Sequence, residues 1–229
     1  MDAREIATNV SKVRDRIADA AAAAGRDPEC VALLAVSKTK PAAMVRAAAE
    51  AGLHAFGENY LQDAETKIEE LRDLGLEWHF IGPLQSNKTR TIAANFDWVH
   101  SVDRLKIARR LSEQRPEALG PLNICLQVNI SGEPSKSGVL PGQVPDLAAT
   151  VASLPGITLR GLMAIPAPET DPVKQRQPFA ALRHLLESLS DSLPHLDTLS
   201  MGMSSDLEAA IAEGATIVRV GTDLFGARQ

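Results

Sequence analysis

Cysteines and long apolar runs are scarce in this chain. Its 229 residues include two cysteines, Cys30 and Cys125. Neither lies in a C-x-x-C pair or near a histidine at metal-ligand spacing, so we expect both to be reduced and unliganded. No run reaches the ~18 apolar residues of a membrane span, and the starting segment MDAREIATNV lacks the apolar core of a signal peptide. We therefore expect a cytoplasmic protein without a metal site or a membrane contact.

An excess of basic residues is also absent. Lys and Arg number 24 against 29 Asp and Glu, which gives a formal net charge of −5. This acidic balance argues against general binding of nucleic acid or of an anionic membrane surface, although a local basic pocket remains compatible with it. Hydrophobic residues make up 45% of the chain and charged residues 23%, a composition typical of a globular protein with a substantial core.

The N-terminal segment predicts an amphipathic helix over residues 2–24. Its apolar residues recur at spacings of three or four and share one face; they are Ile6, Val10, Val13, Ile17 and Ala21. Gly25 and Pro28 follow as stop signals.

Eight short apolar runs follow, and amphipathic helical stretches separate them. The runs lie at residues 31–37, 54–59, 77–82, 97–102, 123–130, 157–165, 198–202 and 216–221. Their continuous apolar character suits a parallel sheet covered by helices. Eight strand–helix units in about 200 residues predict an α/β protein, a single (β/α)8 TIM-type barrel. We expect one domain over 1–229, with 1–25 as an additional N-terminal helix packed on the barrel.

An open doubly wound sheet is the alternative fold. It would usually carry a glycine-rich dinucleotide loop after its first strand, whereas SKTKP in that place has no glycine. The proline-rich segment 166–178, PAPETDPVKQRQP, is interpreted as a loop on the barrel and not as a domain boundary. The barrel is therefore preferred.

Polar and small residues recur where the strands end, which is where barrels of this type place their functional groups. The loops after the last two strands, SMGMSSD and GTDLFG, offer backbone N–H groups and hydroxyls typical of a phosphate site. The candidates are Gly202, Ser204, Gly221 and Thr222. One serine of the pair at 204 and 205 is equally expected to cap the next helix, and Gly221-Thr222 alone could be a turn.

Lys38 ends the first strand in VALLAVSKTKP. A lysine at the mouth of an apolar barrel loses hydration, which favours the neutral amine, and a neutral amine attacks a carbonyl to form a Schiff base. The first and eighth strands are neighbours in a closed barrel, so Lys38 and Thr222 would lie on the same side. A phosphorylated aldehyde such as pyridoxal 5′-phosphate would suit both groups. A solvated side chain is the ordinary alternative for any single lysine.

Six sequence blocks carry a more specific signal. They are AVSKTKP, FGENYLQDAETK, WHFIGPLQSNKTR, VNISGEPSKSGV, GLMAIP and LSMGMSSDLEAAIAEGATIVRVGTDLFGAR, and they are spread from residue 35 to the C-terminus. Together they resemble the pyridoxal phosphate homeostasis protein family, which is similar to the fold type III barrel of alanine racemase without its β-domain. The resemblance implies a protein that binds pyridoxal phosphate (PLP), stores or delivers it, and maintains its homeostasis.

The resemblance also implies roles for single residues. Lys38 would carry PLP covalently as a Schiff base, Arg219 would face the pyridine nitrogen, and the phosphate would be held by Ser204, Gly221 and Thr222. The residues expected beside the ring or its 3-hydroxyl group are Asn59, Met201 and His79. Asp223 stands where many members of the family have a small or apolar residue, and we expect no key contact to depend on it.

A non-catalytic carrier is favoured over an enzyme. A guanidinium only donates hydrogen bonds, so Arg219 would leave the pyridine nitrogen unprotonated and the ring a poor electron sink. Racemases of this fold take a second base, a tyrosine, from a second domain and a partner subunit. The single tyrosine here, Tyr60, is better interpreted as packing at a helix start. A weak amino-acid racemase or another PLP-dependent enzyme is the alternative.

Further lysines and carboxylates suggest weaker hypotheses. Lys88 and Lys136 lie in loops after the third and fifth strands and would be transient acceptors of the aldehyde during transfer to an apo-enzyme, although most loop lysines are only solvated. A phosphate-sugar barrel enzyme is disfavoured because Glu58 and Asp103 lie on nonadjacent strands. The usual dimer interface of racemases requires the missing second domain, so we expect a monomer.

Overall fold

Eight parallel strands close into a barrel in chain order in the computed structural model, which describes residues 1–133 and 136–227. The strands are β1 (Ala32–Val36), β2 (Ala55–Glu58), β3 (Glu77–Phe80), β4 (Trp98–Val102), β5 (Leu122–Gln127), β6 (Ile157–Met163), β7 (Thr198–Ser200) and β8 (Ile217–Val220). Because β8 pairs with β1, the sheet has no free edge. The (β/α)8 barrel is confirmed, and the open doubly wound alternative is wrong.

Helices form the outer layer. They are α1 (Ala3–Ala23), α2 (Ala42–Glu50), α3 (Leu61–Glu70), α4 (Thr89–Asn95), α5 (Leu105–Gln114), α6 (Val144–Ala152), α7 (Pro172–Leu189), α8 (Leu207–Ala212) and α9 (Thr222–Phe225). Helix α1 packs against α2, α8 and α9, and all five apolar residues of its predicted face are buried. Asp2 and Glu5 form a capping box at its start. None of the helices that the structure describes has the length and hydrophobicity that crossing a membrane requires.

The proline-rich segment 166–178 is a loop only in its first part, so the prediction for its second part is wrong. Helix α7 begins at Pro172, and the Asp171 carboxylate accepts hydrogen bonds from the backbone N–H groups of Val173 and Lys174. A proline at the first helical position is tolerated because its missing N–H would have no partner there. Pro178 lies inside the same helix and gives up one intrahelical hydrogen bond.

Alternation along the strands decides which side chains reach the barrel interior. In β1, Ala35 belongs to the core between sheet and helices. Leu34 instead faces the interior, because a Cβ atom built on Gly57 of β2 would lie 3.3 Å from it. Lys38 has the same parity as Leu34, and Leu34 is in register with Arg219 of β8. The fold therefore directs Lys38 and Arg219 to the same interior.

A buried ion pair anchors β2 to α3 directly behind Lys38. Glu58 is fully buried, and its Oε1 lies 2.7 Å from Lys67 Nζ. The Ser37 hydroxyl donates to the same carboxylate (2.6 Å), while Lys67 Nζ donates to the Ser37 carbonyl (2.8 Å) and lies 2.9 Å from Asp63. Burial raises the pKa of the Glu58 carboxyl, although the Lys67 charge opposes the shift. Glu58 is thus a structural anchor rather than a rim carboxylate.

Replacing Lys67 by Met is expected to lower the free energy of unfolding by about 3–5 kcal/mol, because Glu58 would stay buried without its counter-charge. Chemical denaturation near neutral pH measures the difference. The loss should shrink as the pH falls, because the variant can then protonate Glu58, whose folded-state pKa would lie further above its unfolded value. The control, Lys12→Met on the exposed face of α1, should stay within ~0.5 kcal/mol. An equal effect of both substitutions would contradict the anchoring role.

Candidate functional site

A cavity of about 550 Å³ opens at the end of the barrel where the strands have their C-termini. Residues beyond β1, β2, β3, β6, β7 and β8 contribute to its wall. The structure places six of the predicted site residues on this cavity, namely Lys38, Asn59, Ser204, Arg219, Gly221 and Thr222. Apolar side chains complete the wall, among them Val36, Ile81 and Ile165. Two lysines, Lys38 and Lys40, therefore share a single space with one buried arginine and several hydroxyl-bearing residues.

Lys38 lies two residues beyond the end of β1 and is half-buried. Its neighbours in the chain are both fixed to the Glu58–Lys67–Asp63 group. Ser37 is fixed through its hydroxyl and carbonyl, and the Thr39 N–H donates to Asp63 (3.3 Å). Thr39 has a φ of +64°, a left-handed conformation that β-branched residues rarely adopt. Hydrogen bonds to the Glu58–Lys67–Asp63 group thus fix the backbone on both sides of Lys38.

The loop after β7 lies tightly against α8. Gly202 has a φ of +93°, and a Cβ atom there would lie 2.5 Å from the Cβ of Ala210, so the position requires glycine. Asp206 occupies the N-cap position of α8, whereas the sequence suggested Ser204 or Ser205 for it. Both serines instead line the cavity. The Ser204 hydroxyl therefore belongs to the site.

Asn59 lines the cavity and carries a buried polar atom. Over residues 1–133 and 136–227, its Oδ1 atom has no hydrogen-bond partner within the protein. Buried polar atoms are rarely left unpaired, since doing so costs free energy. The Asn59 backbone is in turn held against Gly82, where a Cβ atom would lie 2.1 Å from the Asn59 carbonyl oxygen. This orphaned atom indicates a place for a ligand.

Arg219 is a buried cation at the wall of the cavity. Its Nη1 donates to the Ser200 hydroxyl (2.7 Å) and its Nη2 to the Ala164 carbonyl (3.0 Å). Burial lowers the pKa of this guanidinium to about 10, partly offset by the charge of Asp206, so it remains protonated near neutral pH. A guanidinium has five N–H donors, and these two bonds leave others for a ligand.

Hydrogen bonds continue from Arg219 through the barrel interior. Ser200 Oγ lies 2.7 Å from His100 Nδ1, His100 Nε2 lies 2.8 Å from His79 Nδ1, and His79 Nε2 lies 2.7 Å from Glu77 Oε1. We call these five residues the interior relay. Hydrogen bonding from His79 lowers the pKa of the Glu77 carboxyl, and desolvation holds the pKa of His100 well below its usual value.

When both histidines are neutral, one proton arrangement satisfies every contact of the interior relay. Arg219 can only donate and the Glu77 carboxylate can only accept. With His79 neutral, each histidine carries its proton on Nε2, and Ser200 donates to His100. The contacts of the interior relay therefore fix the tautomer of both neutral histidines.

Two predicted ring contacts, His79 and Met201, do not line the cavity. His79 lies deeper in the barrel, where it stacks on Trp98 with ring centroids 5.5 Å apart, and Ile81, two residues later, occupies the wall instead. Met201 is buried in the core between sheet and helices, because Ser200 already takes the inward position. Met203 is among the lining residues that sequence reasoning missed, and counting inward parity from Ser200 would not have indicated it, because position 203 has the outward parity of Met201.

The other residues named from the sequence lie elsewhere. Tyr60 precedes α3 and is 53% exposed, so it neither packs as predicted nor lines the cavity. Lys88 holds the N-cap position of α4, and Lys136 forms an ion pair with Glu133 at 3.2 Å; neither lysine lines the cavity as the structure describes it. Asp103 pairs with Arg104 at 2.6 Å.

Nitrogen-15 spectra of the histidine rings are expected to show Nε2–H tautomers for His79 and His100 at alkaline pH. The His100→Phe variant identifies the His100 signals, and exposed His54 serves as the reference in the same spectra. An Nδ1–H tautomer of His100 at alkaline pH would rule out the relay as described.

Three comparisons with known proteins agree with this geometry. The family model described as "Alanine racemase, N-terminal domain" matches residues 2–229. A relative from Pseudomonas aeruginosa (strain PAO1) named "Pyridoxal phosphate homeostasis protein" is 66% identical over 223 residues, which cover 97% of this chain and 96% of the relative.

Solved structures show the same architecture. PipY of Synechococcus elongatus PCC7942, solved with PLP bound, is 39% identical with a TM-score of 0.84 over 96% of this chain and 100% of PipY. Alanine racemase from Corynebacterium glutamicum, at 19% identity and a TM-score of 0.75, shares the fold over 100% of this chain and 62% of the racemase. This chain belongs to the alanine racemase N-terminal domain family and, within it, to the pyridoxal phosphate homeostasis proteins.

Proposed function

We propose that this protein binds PLP through a Schiff base with Lys38 and stores it or delivers it to apo-enzymes. The observation that carries the proposal is the convergence of Lys38, Arg219 and the loops after β7 and β8 on one cavity. The name of the Pseudomonas relative and the PLP bound to PipY support the choice of ligand.

The residues of the cavity fit each part of PLP. Ser204 and Thr222 bring hydroxyls to the end expected to hold the phosphate, and Gly221 keeps the backbone close, since a Cβ atom there would lie 3.1 Å from the Val36 carbonyl oxygen. The orphaned Oδ1 of Asn59 offers an acceptor at the wall. When bound, PLP supplies an aldehyde that condenses with a primary amine, and Lys38 is a cavity amine whose two neighbours in the chain are both hydrogen-bonded to the Glu58–Lys67–Asp63 group.

Arg219 favours binding over carbanion chemistry. With a pKa of about 10, it keeps its proton near neutral pH and donates a hydrogen bond to any nitrogen acceptor beside it. A pyridine nitrogen that accepts such a bond stays unprotonated, and the ring withdraws electrons poorly. The Ser200 and Ala164 contacts hold the guanidinium in this donating orientation.

Among the residues that the structure describes, the candidates for a second base lie outside the cavity or are engaged in other contacts; Asp223, for example, pairs with Arg16. Tyr60, the single tyrosine of the chain, is exposed outside it. Lys40 does line it, but its Nζ donates to the carbonyls of Gly226 (3.2 Å) and Ala227 (3.1 Å). We therefore favour a carrier over an amino-acid racemase.

We further propose that the protein acts in the cytoplasm as a monomer, with apo-enzymes that need PLP as its acceptors. Both cysteines are free, Cys30 on the surface and Cys125 in the interior, as is usual in a reducing compartment. The barrel matches 62% of the length of the Corynebacterium racemase.

Adding PLP to the purified protein should produce the absorption band of a lysine Schiff base. Borohydride reduction followed by peptide mass spectrometry should then place the adduct on Lys38. Lys38→Ala should abolish the band, because no other amine in the cavity is held at the end of a barrel strand. Lys88→Ala, outside the cavity, should keep it. An adduct on another lysine of the wild-type protein would refute the proposal.

The PLP-loaded protein should not racemise L-alanine or other L-amino acids, since a second base is needed opposite Lys38. Chiral chromatography after long incubation measures the product. Turnover at even ~1 per second, a low value for an enzyme, would favour the racemase alternative. A Tyr60→Phe variant would then test whether that residue is the base.

A further inference from the structure

Asp223 brings a negative charge to the proposed phosphate site. It directly follows Thr222, lines the same cavity, and its side chain is 33% exposed. An unpaired carboxylate in this position would repel a phosphate dianion, because charges near a protein surface interact more strongly than in bulk water. The sequence alone suggested that no key contact depends on Asp223. Its place on the cavity wall means that its charge can affect the binding of a phosphate there.

Arg16 of α1 neutralises this carboxylate. Its Nη1 donates to Asp223 Oδ2 at 2.5 Å, its Nη2 to the Ser204 carbonyl at 3.1 Å, and its Nε to Glu208 Oε1 at 2.9 Å. One guanidinium therefore links the loop after β7 with helices α8 and α9. Glu208 lies outside the cavity and is 55% exposed, so water screens much of its charge.

We propose that Arg16 is a positioning residue of the PLP site, which cancels the charge of Asp223 beside the phosphate. The inference rests on the proposed function, because it concerns the phosphate end of that ligand. It gives α1, which lies outside the eight strand–helix units, a part in ligand binding. It also explains how this chain tolerates an acidic residue beside a phosphate.

Two other roles for the Arg16–Asp223 pair lead to different results. If the pair only fastens α1 to the barrel, either single substitution should weaken binding. If Asp223 itself contacts the ligand, Asp223→Asn should weaken binding most. Charge compensation alone predicts opposite signs, because Arg16→Gln exposes a negative charge, whereas Asp223→Asn frees a positive charge next to the phosphate.

The experiment is a titration of apo-protein with PLP, followed by the Schiff base band. Arg16→Gln should raise the Kd about tenfold, Asp223→Asn should lower it about two- to fivefold, and the double variant should return to within about threefold of wild type. The effect of Arg16→Gln should shrink at high salt, because the charges are partly exposed. The double variant also lacks the ion pair, so recovered affinity cannot come from restored packing of α1.

Pyridoxal without its phosphate is the matched control, since it offers the same aldehyde to Lys38. Its Kd should be unchanged in all three variants. A wild-type protein that forms no Schiff base with PLP would refute the proposed function itself. A wild-type protein that binds PLP, combined with weaker binding by Asp223→Asn or an equal effect on pyridoxal, would overturn the role of Arg16 alone.

Discussion

Pairing of β1 with β8 closes the barrel, and the site depends on that closure. The register sets Leu34 opposite Arg219 and Ala35 opposite Val220, so the residues that follow β1 meet the loop that follows β8. Lys38 and Gly221 are thereby brought to one mouth from nearly opposite ends of the chain. In an open sheet with the same strand order, these two strands would form the two edges, and the amine would lie far from the hydroxyls.

Closure also creates an interior that must be filled, and this barrel fills part of it with polar groups. Branched apolar side chains usually dominate such interiors, and Leu34, Val36 and Ile217 follow that rule. In the rest of the interior, the polar side chains of the interior relay take the place of such apolar side chains. Burying polar groups is costly unless each is hydrogen-bonded, and every member of the relay has a partner. The barrel therefore gives up some apolar packing and gains a fixed orientation for the Arg219 guanidinium.

Much of the fold was predictable because its signals are local. Each strand was an apolar run, and the buried face of α1 recurred at helical spacing. The positions of Lys38, Arg219 and Gly221 followed from strand ends and from family blocks. Met201 and His79 were predicted to lie beside the ligand ring but do not line the cavity. Strand parity and depth in the barrel, not proximity to a strand end, decide which residues face a cavity. The first turns of helix α7 were predicted as a loop because prolines were interpreted as loop signals, although Asp171-Pro172 is also a typical helix start. Arg16 was missed because its contacts span 188 and 207 residues of sequence, and no local pattern marks them.

The rim of the cavity includes the last residues that the structure describes. Gly226 belongs to the wall, and Lys40 Nζ donates hydrogen bonds to the carbonyls of Gly226 and Ala227. A label placed at Gly226 or Ala227 would consequently lie at the rim of the cavity. An affinity tag or a fluorescent partner attached there would crowd the entrance, so reporters of cofactor exchange are better attached through an exposed side chain on the outer helices.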